Sequence, residues 1–217
     1  MYFHSRTEAG EKLADQLVQY RYENSVVVAL NEGSLAVGEP IATRLHCALS
    51  LFLTEEVQIP GEQTALGTVN QGGGFIYNRS LSPGEIDDYY SEFHTYIEDQ
   101  KREKFEKINR LLGDGGILDI SLLREHVVIL VADGLKTGAV LDATAEFLKP
   151  IKIKRLVIAT PVASVQAVDR MHILADELHC LSVTENYLAT DHYYDANDVP
   201  TREEAVQKIN NIVLNWQ

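Results

Sequence analysis

The sequence predicts an α/β fold with a mostly parallel central sheet flanked by helices. Three observations carry this. Short aliphatic runs recur along the chain, longer amphipathic stretches separate most of them, and the runs are too uniformly apolar for strands with one wet face. The expected strands are "SVVVAL" (25–30), "LSLFLT" (49–54), "HVVILVA" (126–132), "RLVIAT" (155–160) and "LHCLSV" (178–183). Between them, Leu35, Ile41 and Leu45 mark one helical face, Val140, Ala143, Ala145 and Leu148 a second, and Val168, Met171 and Leu174 a third. Strand and helix alternating in this way build a parallel sheet with helices on its faces.

One segment breaks the rhythm. "GTVNQGGGFIYN" (67–78) sets two β-prone runs around three glycines, the composition of a hairpin or flap. Ser82, Pro83 and Glu85 then supply an N-cap, a proline at the first helical position and a capping-box acid. Ile86, Tyr90, Phe93, Ile97, Ile108 and Leu111 follow at near-helical spacing until "GDGG" (113–116), a helix of about 45 Å if unbroken. Flap and long helix, at about 65–115, read as an insertion covering one edge of the sheet. "TREE" (201–204) is a second capping-box start, opening a C-terminal helix over about 201–215 that should turn Val206, Ile209 and Val213 inward. No fixed-period repeat or Pro/Gly/Ser linker divides the chain, so 1–217 is expected to form one domain.

Composition narrows the function. The 19 basic and 32 acidic side chains give a formal charge of −13, which repels polyanions and argues against a nucleic-acid partner. Any phosphate site must therefore be local. No run of about 18 apolar residues offers a membrane span, and the first turns carry charges instead of an apolar leader, so a cytoplasmic protein is expected. Cys47 and Cys180, each preceded by a histidine, give neither a disulfide framework nor zinc-ribbon spacing. On a strand the neighbours of each His-Cys pair would point to opposite faces, and buried thiols are expected at both. Nucleophile-elbow, Walker A and zinc-protease motifs are all missing from the sequence.

The chemically suggestive stretch is "VVILVADGLKTGAV" (127–140). An aliphatic strand ends in Asp133, and the loop Gly134, Leu135, Lys136, Thr137 and Gly138 leads into a helix. Backbone N–H groups and a hydroxyl at a helix N-terminus stabilise an anion, and the carboxyl ends of parallel strands are where ligands collect. The same spacing also suits a Thr137 that caps the helix and a Gly138 that eases a tight turn.

This stretch resembles the phosphoribosyl-pyrophosphate motif of the type I phosphoribosyltransferases, in which a strand leads to two adjacent acids and a loop ending in Thr-Gly. The resemblance spans nearly the whole chain and is nearest to a bacterial group of stand-alone phosphoribosyltransferase-domain proteins. It extends through "EAGEKLADQLVQY" (8–20), residues 26–47, "ALGTVNQGGG" (65–74), residues 161–185 and the tail "DHYYDANDV" (191–199). It implies that Gly134 to Gly138 wrap a ribose 5′-phosphate, that Asp133 contacts the ribose hydroxyls, and that Asn31, Glu32, Gly33 and Ser34 stand at the pyrophosphate loop. It further implies Mg²⁺-dependent transfer of phosphoribose to a nitrogenous base, with a homodimer as one assembly. Tyr193 and Tyr194 could stack on the base or pack as a C-terminal cover.

The chain departs from that pattern where charge matters most. Ala132 replaces the first of the two acids. Asn31, Glu32, Gly33 and Ser34 stand where close relatives carry Pro-Arg-Gly-Gly. Glu55 and Glu56 stand where they carry a basic pair, on what reads as a loop after the second strand. Each misplaced acid disfavours an anionic donor by about 1 kcal/mol per close pair in water, and more when partly desolvated. Lys136 could restore some phosphate attraction or lie idle at the surface. Two expectations follow: a phosphoribosyltransferase with altered site residues, or a binding protein of that fold that senses a nucleotide or sugar phosphate without efficient turnover.

Overall fold

The computed structural model describes residues 2–62, 64–112 and 118–212. Its centre is a five-stranded parallel sheet of β1 (Ser25–Ala29), β2 (Ala48–Leu51), β6 (Val127–Val131), β7 (Arg155–Ser164) and β8 (Glu177–Thr184), in the order β2-β1-β6-β7-β8. The remaining strands, β3 (Thr54–Gln58), β4 (Ala65–Asn70) and β5 (Phe75–Tyr77), form a separate antiparallel sheet in chain order.

The period of two along the central strands sorts their side chains between two cores. Val27, Ala29, Val127, Ile129, Val131 and Val157 face α1 (Arg6–Gln16) and α2 (Glu32–Leu45), where Leu13, Leu35, Ile41 and Leu45 are buried. Val26, Val28, Val128, Leu130 and Ile158 face α4 (Ala139–Leu148) and α5 (Val165–Leu174), against Leu141, Leu148, Ala167 and Met171. Because both faces are covered at the centre of the sheet, β6 is aliphatic at every position and β1 at every position after Ser25. Continuing the parity past β6 sends Ala132 into the α4–α5 core and Asp133 toward α1 and α2. That one-residue difference in direction determines the chemistry below.

The flap is present as a hairpin, with Gly67 opposite Tyr77 and Val69 opposite Phe75. Gly67 is required there, since a Cβ would lie 2.3 Å from the carbonyl oxygen of Ile76. The long helix α3 (Pro83–Leu112) starts with the expected Ser82–Glu85 capping box, and it turns Ile97 and Ile108 inward. It is not straight: Phe93 leaves helical geometry at φ −115, ψ 21, and the helix bends there. Lys101 Nζ lies 4.4 Å from the Phe75 ring centre, near Tyr77 and Tyr90 as well, pinning hairpin to helix. Together they extend the core beyond the β2 edge, because Val57, Val69 and Ile108 join the cluster that holds Leu49, Leu51 and Leu53.

Several expectations need correction. "LSLFLT" is not one strand: β2 stops at Leu51, Phe52 and Leu53 turn the chain, and Thr54 opens β3 of the second sheet, so the insertion begins there. Glu55 and Glu56 therefore sit on a strand, where Glu55 pairs with Lys107 at 2.6 Å and approaches Lys104 at 3.8 Å. His46 is no strand residue; it ends α2 in the left-handed region at φ 55. Cys47 is buried, whereas Cys180 is only half-buried on the edge strand β8. In α6 (Arg202–Asn211) the Thr201–Glu204 capping box forms as expected, but Val206 is exposed. Ile209 packs inward as expected, and Ala205, four residues before it on the same face, and Ile212 join it in place of Val206. Val213 and the "GDGG" stop lie outside the described residues, as does the side chain of Leu111.

Candidate functional site

The site gathers at the carboxyl ends of β1 and β6. Asn31 caps α2, its Oδ1 accepting from the backbone N–H of Ser34 at 2.6 Å and from Ser34 Oγ at 2.8 Å. Glu32 occupies the first turn, where a carboxylate is favoured by the helix dipole, and is half-buried. Residues 30–34 therefore form a capped helix start that contributes no cation toward a pyrophosphate.

Asp133 is brought to this helix start, and its carboxylate is already bound. Oδ2 accepts from Arg6 Nε at 2.8 Å; Oδ1 accepts from Asn31 Nδ2 at 3.2 Å and Ser34 Oγ at 3.3 Å. A Cβ on Gly33 would sit 2.3 Å from Asp133 Oδ2. The Asp133 carboxylate is thus held by side chains at the start of α2, Asn31 and Ser34, together with Arg6.

Arg6 is the partner that pattern reading missed. It is buried, yet it stands among Asp133, Asp191 and Asp198, and its guanidinium stacks 4.4 Å from the centre of the Tyr194 ring. Burial works against the Arg6 charge, but hydrogen bonds to Asp133 and Asp191 outweigh it and hold the guanidinium's proton more tightly than usual. Three carboxylates around one guanidinium leave this end of the site acidic. Nothing in a helical or strand period marks an arginine for burial; the only cue is its place in the first turn after the Ser5 cap.

The tail covers the same spot. Tyr194 OH donates to the Asp133 carbonyl, and a Cβ on Gly134 would lie 2.2 Å from Tyr187 OH. Burial pushes the Tyr187 hydroxyl up to about 12 and the Tyr194 hydroxyl higher still, so both remain neutral donors at physiological pH. Tyr193 and Tyr194 are buried with Phe3, Ala9 and Val162, which makes them a packed cover.

The rest of the loop faces elsewhere. Leu135 is buried in the α4–α5 core and pairs with Ala163, while Lys136 and Thr137 are exposed. Gly138, not Thr137, takes the cap position of α4, and Thr137 Oγ1 lies 3.5 Å from the Ala139 nitrogen, too long for a firm cap. Gly138 has an ordinary φ of −86, so its role is not a left-handed turn. It is needed for close approach: a Cβ there would fall 2.2 Å from Arg170 Cγ. Thr137, Gly138 and Ala139 border a cleft of about 400 Å³ that Arg79, Asp142 and Arg170 also line.

Among the described residues no group of three or more His, Cys, Asp or Glu is placed to hold a metal. The Asp133 carboxylate accepts from Arg6, Asn31 and Ser34. Among the described residues, too, no helix is long and apolar enough to cross a membrane.

Comparison with known proteins agrees with this architecture. The phosphoribosyl transferase domain model matches residues 4–197. A solved structure of TT1426 from Thermus thermophilus superposes with a TM-score of 0.73 at 29% identity, covering 100% of this chain and 99% of that one. Two Mycobacterium tuberculosis proteins, from strains CDC 1551 and H37Rv and named provisionally as phosphoribosyl transferases, are each 25% identical over 197 residues. That alignment covers 88% of this chain but 43% of theirs, so the chain spans less than half the length of these curated relatives. With a parallel central sheet, the strand-loop-helix at 127–148 and a family model spanning most of its length, the chain belongs to the type I phosphoribosyltransferase family.

Proposed function

We propose that the protein binds the 5′-phosphate of a phosphoribosyl ligand, such as a nucleoside monophosphate or ribose 5-phosphate, at the loop Gly134 to Gly138, and that it does so without efficient phosphoribosyl transfer. The observation that carries this reading is the split state of the loop. The acid that leads into it, Asp133, is closed within Arg6, Asn31 and Ser34, whereas its last residues, Thr137 and Gly138, border an open cleft at the start of a ten-residue helix.

Transfer demands that the leaving pyrophosphate be neutralised while the sugar becomes positive. Here Asp133, Asp191 and Asp198 surround a single guanidinium, and Glu32 stands beside them on the helix start. An incoming pyrophosphate would meet this acidic end with the Asp133 carboxylate already seated against the side chains at the start of α2. A monophosphate needs only the other end of the loop. In this reading Asp133 braces the site and does not grip a ribose diol.

The test is calorimetric titration with phosphoribosyl pyrophosphate, AMP and ribose 5-phosphate, each with and without Mg²⁺. Binding of the monophosphates with no magnesium-dependent gain for the pyrophosphate donor is expected. Magnesium-dependent binding of phosphoribosyl pyrophosphate, followed by release of pyrophosphate when a base is added, would restore the enzyme reading. Thr137→Val should weaken the monophosphates without unfolding the protein.

A further inference from the structure

A phosphate dianion on a chain with a formal charge of −13 requires a local source of positive charge. The loop alone is a poor one, because helix dipole and backbone donors are weaker than a fixed cation. Beside the loop, Arg170 of α5 donates from Nε to Asp142 Oδ1 at 2.7 Å, and its Nη2 reaches the same oxygen. Arg79, just after β5, brings its own Nε to 3.5 Å from that oxygen. Two guanidinium groups therefore share one carboxylate, leaving an excess of positive charge beside Thr137 and Gly138.

The placement of Arg170 is built into the loop. A Cβ on Gly138 would come within 2.2 Å of Arg170 Cγ and 2.6 Å of its Cβ, so the glycine admits the arginine stem against the phosphate loop. Asp142 is nearly buried, which fixes the Arg170 fork, while Arg79 is 58% exposed and free to adjust. With its Nε and Nη2 held by Asp142, Arg170 presents its remaining N–H donors from a fixed position, and the exposed Arg79 offers a second guanidinium to a phosphate dianion.

We infer that Arg170 and Arg79 form the cationic wall that reads the phosphate dianion of a phosphopentose ligand, with Asp142 as the acid that orients them. This rests on the loop reading above and adds to it two residues outside the loop. Selection is then for the phosphate itself, so an unphosphorylated nucleoside should be ignored whatever its base.

The experiment titrates AMP, ribose 5-phosphate and adenosine into the full chain and into Arg170→Gln, Arg170→Lys, Arg79→Gln, Asp142→Asn and Thr137→Val. Loss of a charge-assisted hydrogen bond should weaken both phosphates about tenfold or more in Arg170→Gln. Arg79→Gln should weaken them about threefold, and its surface position means that the thermal midpoint without ligand stays in place. Arg170→Lys should recover part of the loss, and Asp142→Asn, which keeps an acceptor but removes the competing charge, should tighten binding a few-fold. Raising salt should weaken the wild type more steeply than Arg170→Gln. Phosphate binding that falls in Thr137→Val but is unchanged in both arginine-to-glutamine variants would overturn the arginine wall alone. Absence of monophosphate binding by the wild type would overturn the loop reading, and the arginine wall with it.

Discussion

Arg6 Nε donates to Asp133 Oδ2 at 2.8 Å, joining the first turn of α1 to the end of β6 across 127 residues of sequence. The side chains are 2% and 7% exposed. Such a pair contributes little compared with an apolar substitute, but removing one partner strands the other charge. Arg6→Leu should therefore cost about 3–5 kcal/mol in urea unfolding. Asp133→Asn in that background should recover part of the loss, since a neutral amide tolerates burial better than a lone carboxylate. A midpoint for Arg6→Leu within error of the wild type would show that the carboxylate finds water.

The flap gives a second prediction. Lys101 Nζ donates to Glu98 at 2.8 Å and lies over Phe75 of the hairpin, so one ammonium couples α3 to β5. Lys101→Met keeps the stem but removes the cation–π attraction, a loss of about 0.5–2 kcal/mol. Amide hydrogen exchange should rise in β4 and β5 and stay level in β6. Uniform exchange changes across both sheets would mean that the flap does not open as a unit.

The strands, the flap hairpin and both capping boxes were legible because each rests on a local pattern: aliphatic continuity, a glycine cluster between β-prone runs, Ser or Thr three residues before Glu. The break at Leu51 was not, since Phe52 and Leu53 continue the apolar run and only tertiary packing decides that they turn toward a second sheet. In α6 the apolar period pointed to Val206 and Ile209 as the buried face, and it missed Ala205, whose small side chain packs in the core while Val206 stays exposed.

At the site, the loop 134–138 was legible as a connection from strand to helix, and Ala132, Glu32, Glu55 and Glu56 as departures from the family's charge pattern. Their consequences were not. Glu55 is countered by Lys107 and Lys104, which lie about fifty residues away on α3, and a sequence gives no distance between them. Arg6 and Tyr194 meet at Asp133, and Asp191 and Asp198 meet at Arg6, across long separations in sequence. Arg79 and Arg170 meet at Asp142 for the same non-local reason.

Position 132 yields a third prediction, from strand parity. Ala132 is 2% exposed and packs with the Val128, Leu130 and Leu135 cluster, on the face opposite Arg6. Restoring an acid by Ala132→Asp would place a charge among aliphatic side chains. The expected cost is about 2–4 kcal/mol of stability by denaturant unfolding, with no gain in affinity for phosphoribosyl pyrophosphate. A variant as stable as the wild type that binds this donor more tightly would show that the strand end can rotate its acid into the site.

Acid sensitivity supplies the last prediction. Burial pushes the Asp198 carboxyl up, but N–H donors from Thr7 and Arg6, at 3.0 and 2.9 Å, together with the Thr7 hydroxyl outweigh it and hold the carboxyl below its ordinary value. A carboxyl whose folded pKa is depressed stabilises the fold fully above its unfolded pKa of about 4 and loses that contribution as pH falls through the folded value. The thermal midpoint should thus decline below about pH 4, partly through release of the tail from the first turn of α1. Asp198→Asn removes the titration, so its midpoint should lie below the wild type's at pH 7 and converge with it toward about pH 2. Depressed acids at the helix caps, Glu85 and Glu204, titrate equally in both proteins and cancel in the difference. Parallel curves, offset by the same amount at every pH, would mean that the Asp198 hydrogen bonds survive protonation and that the tail is held by Arg6 alone.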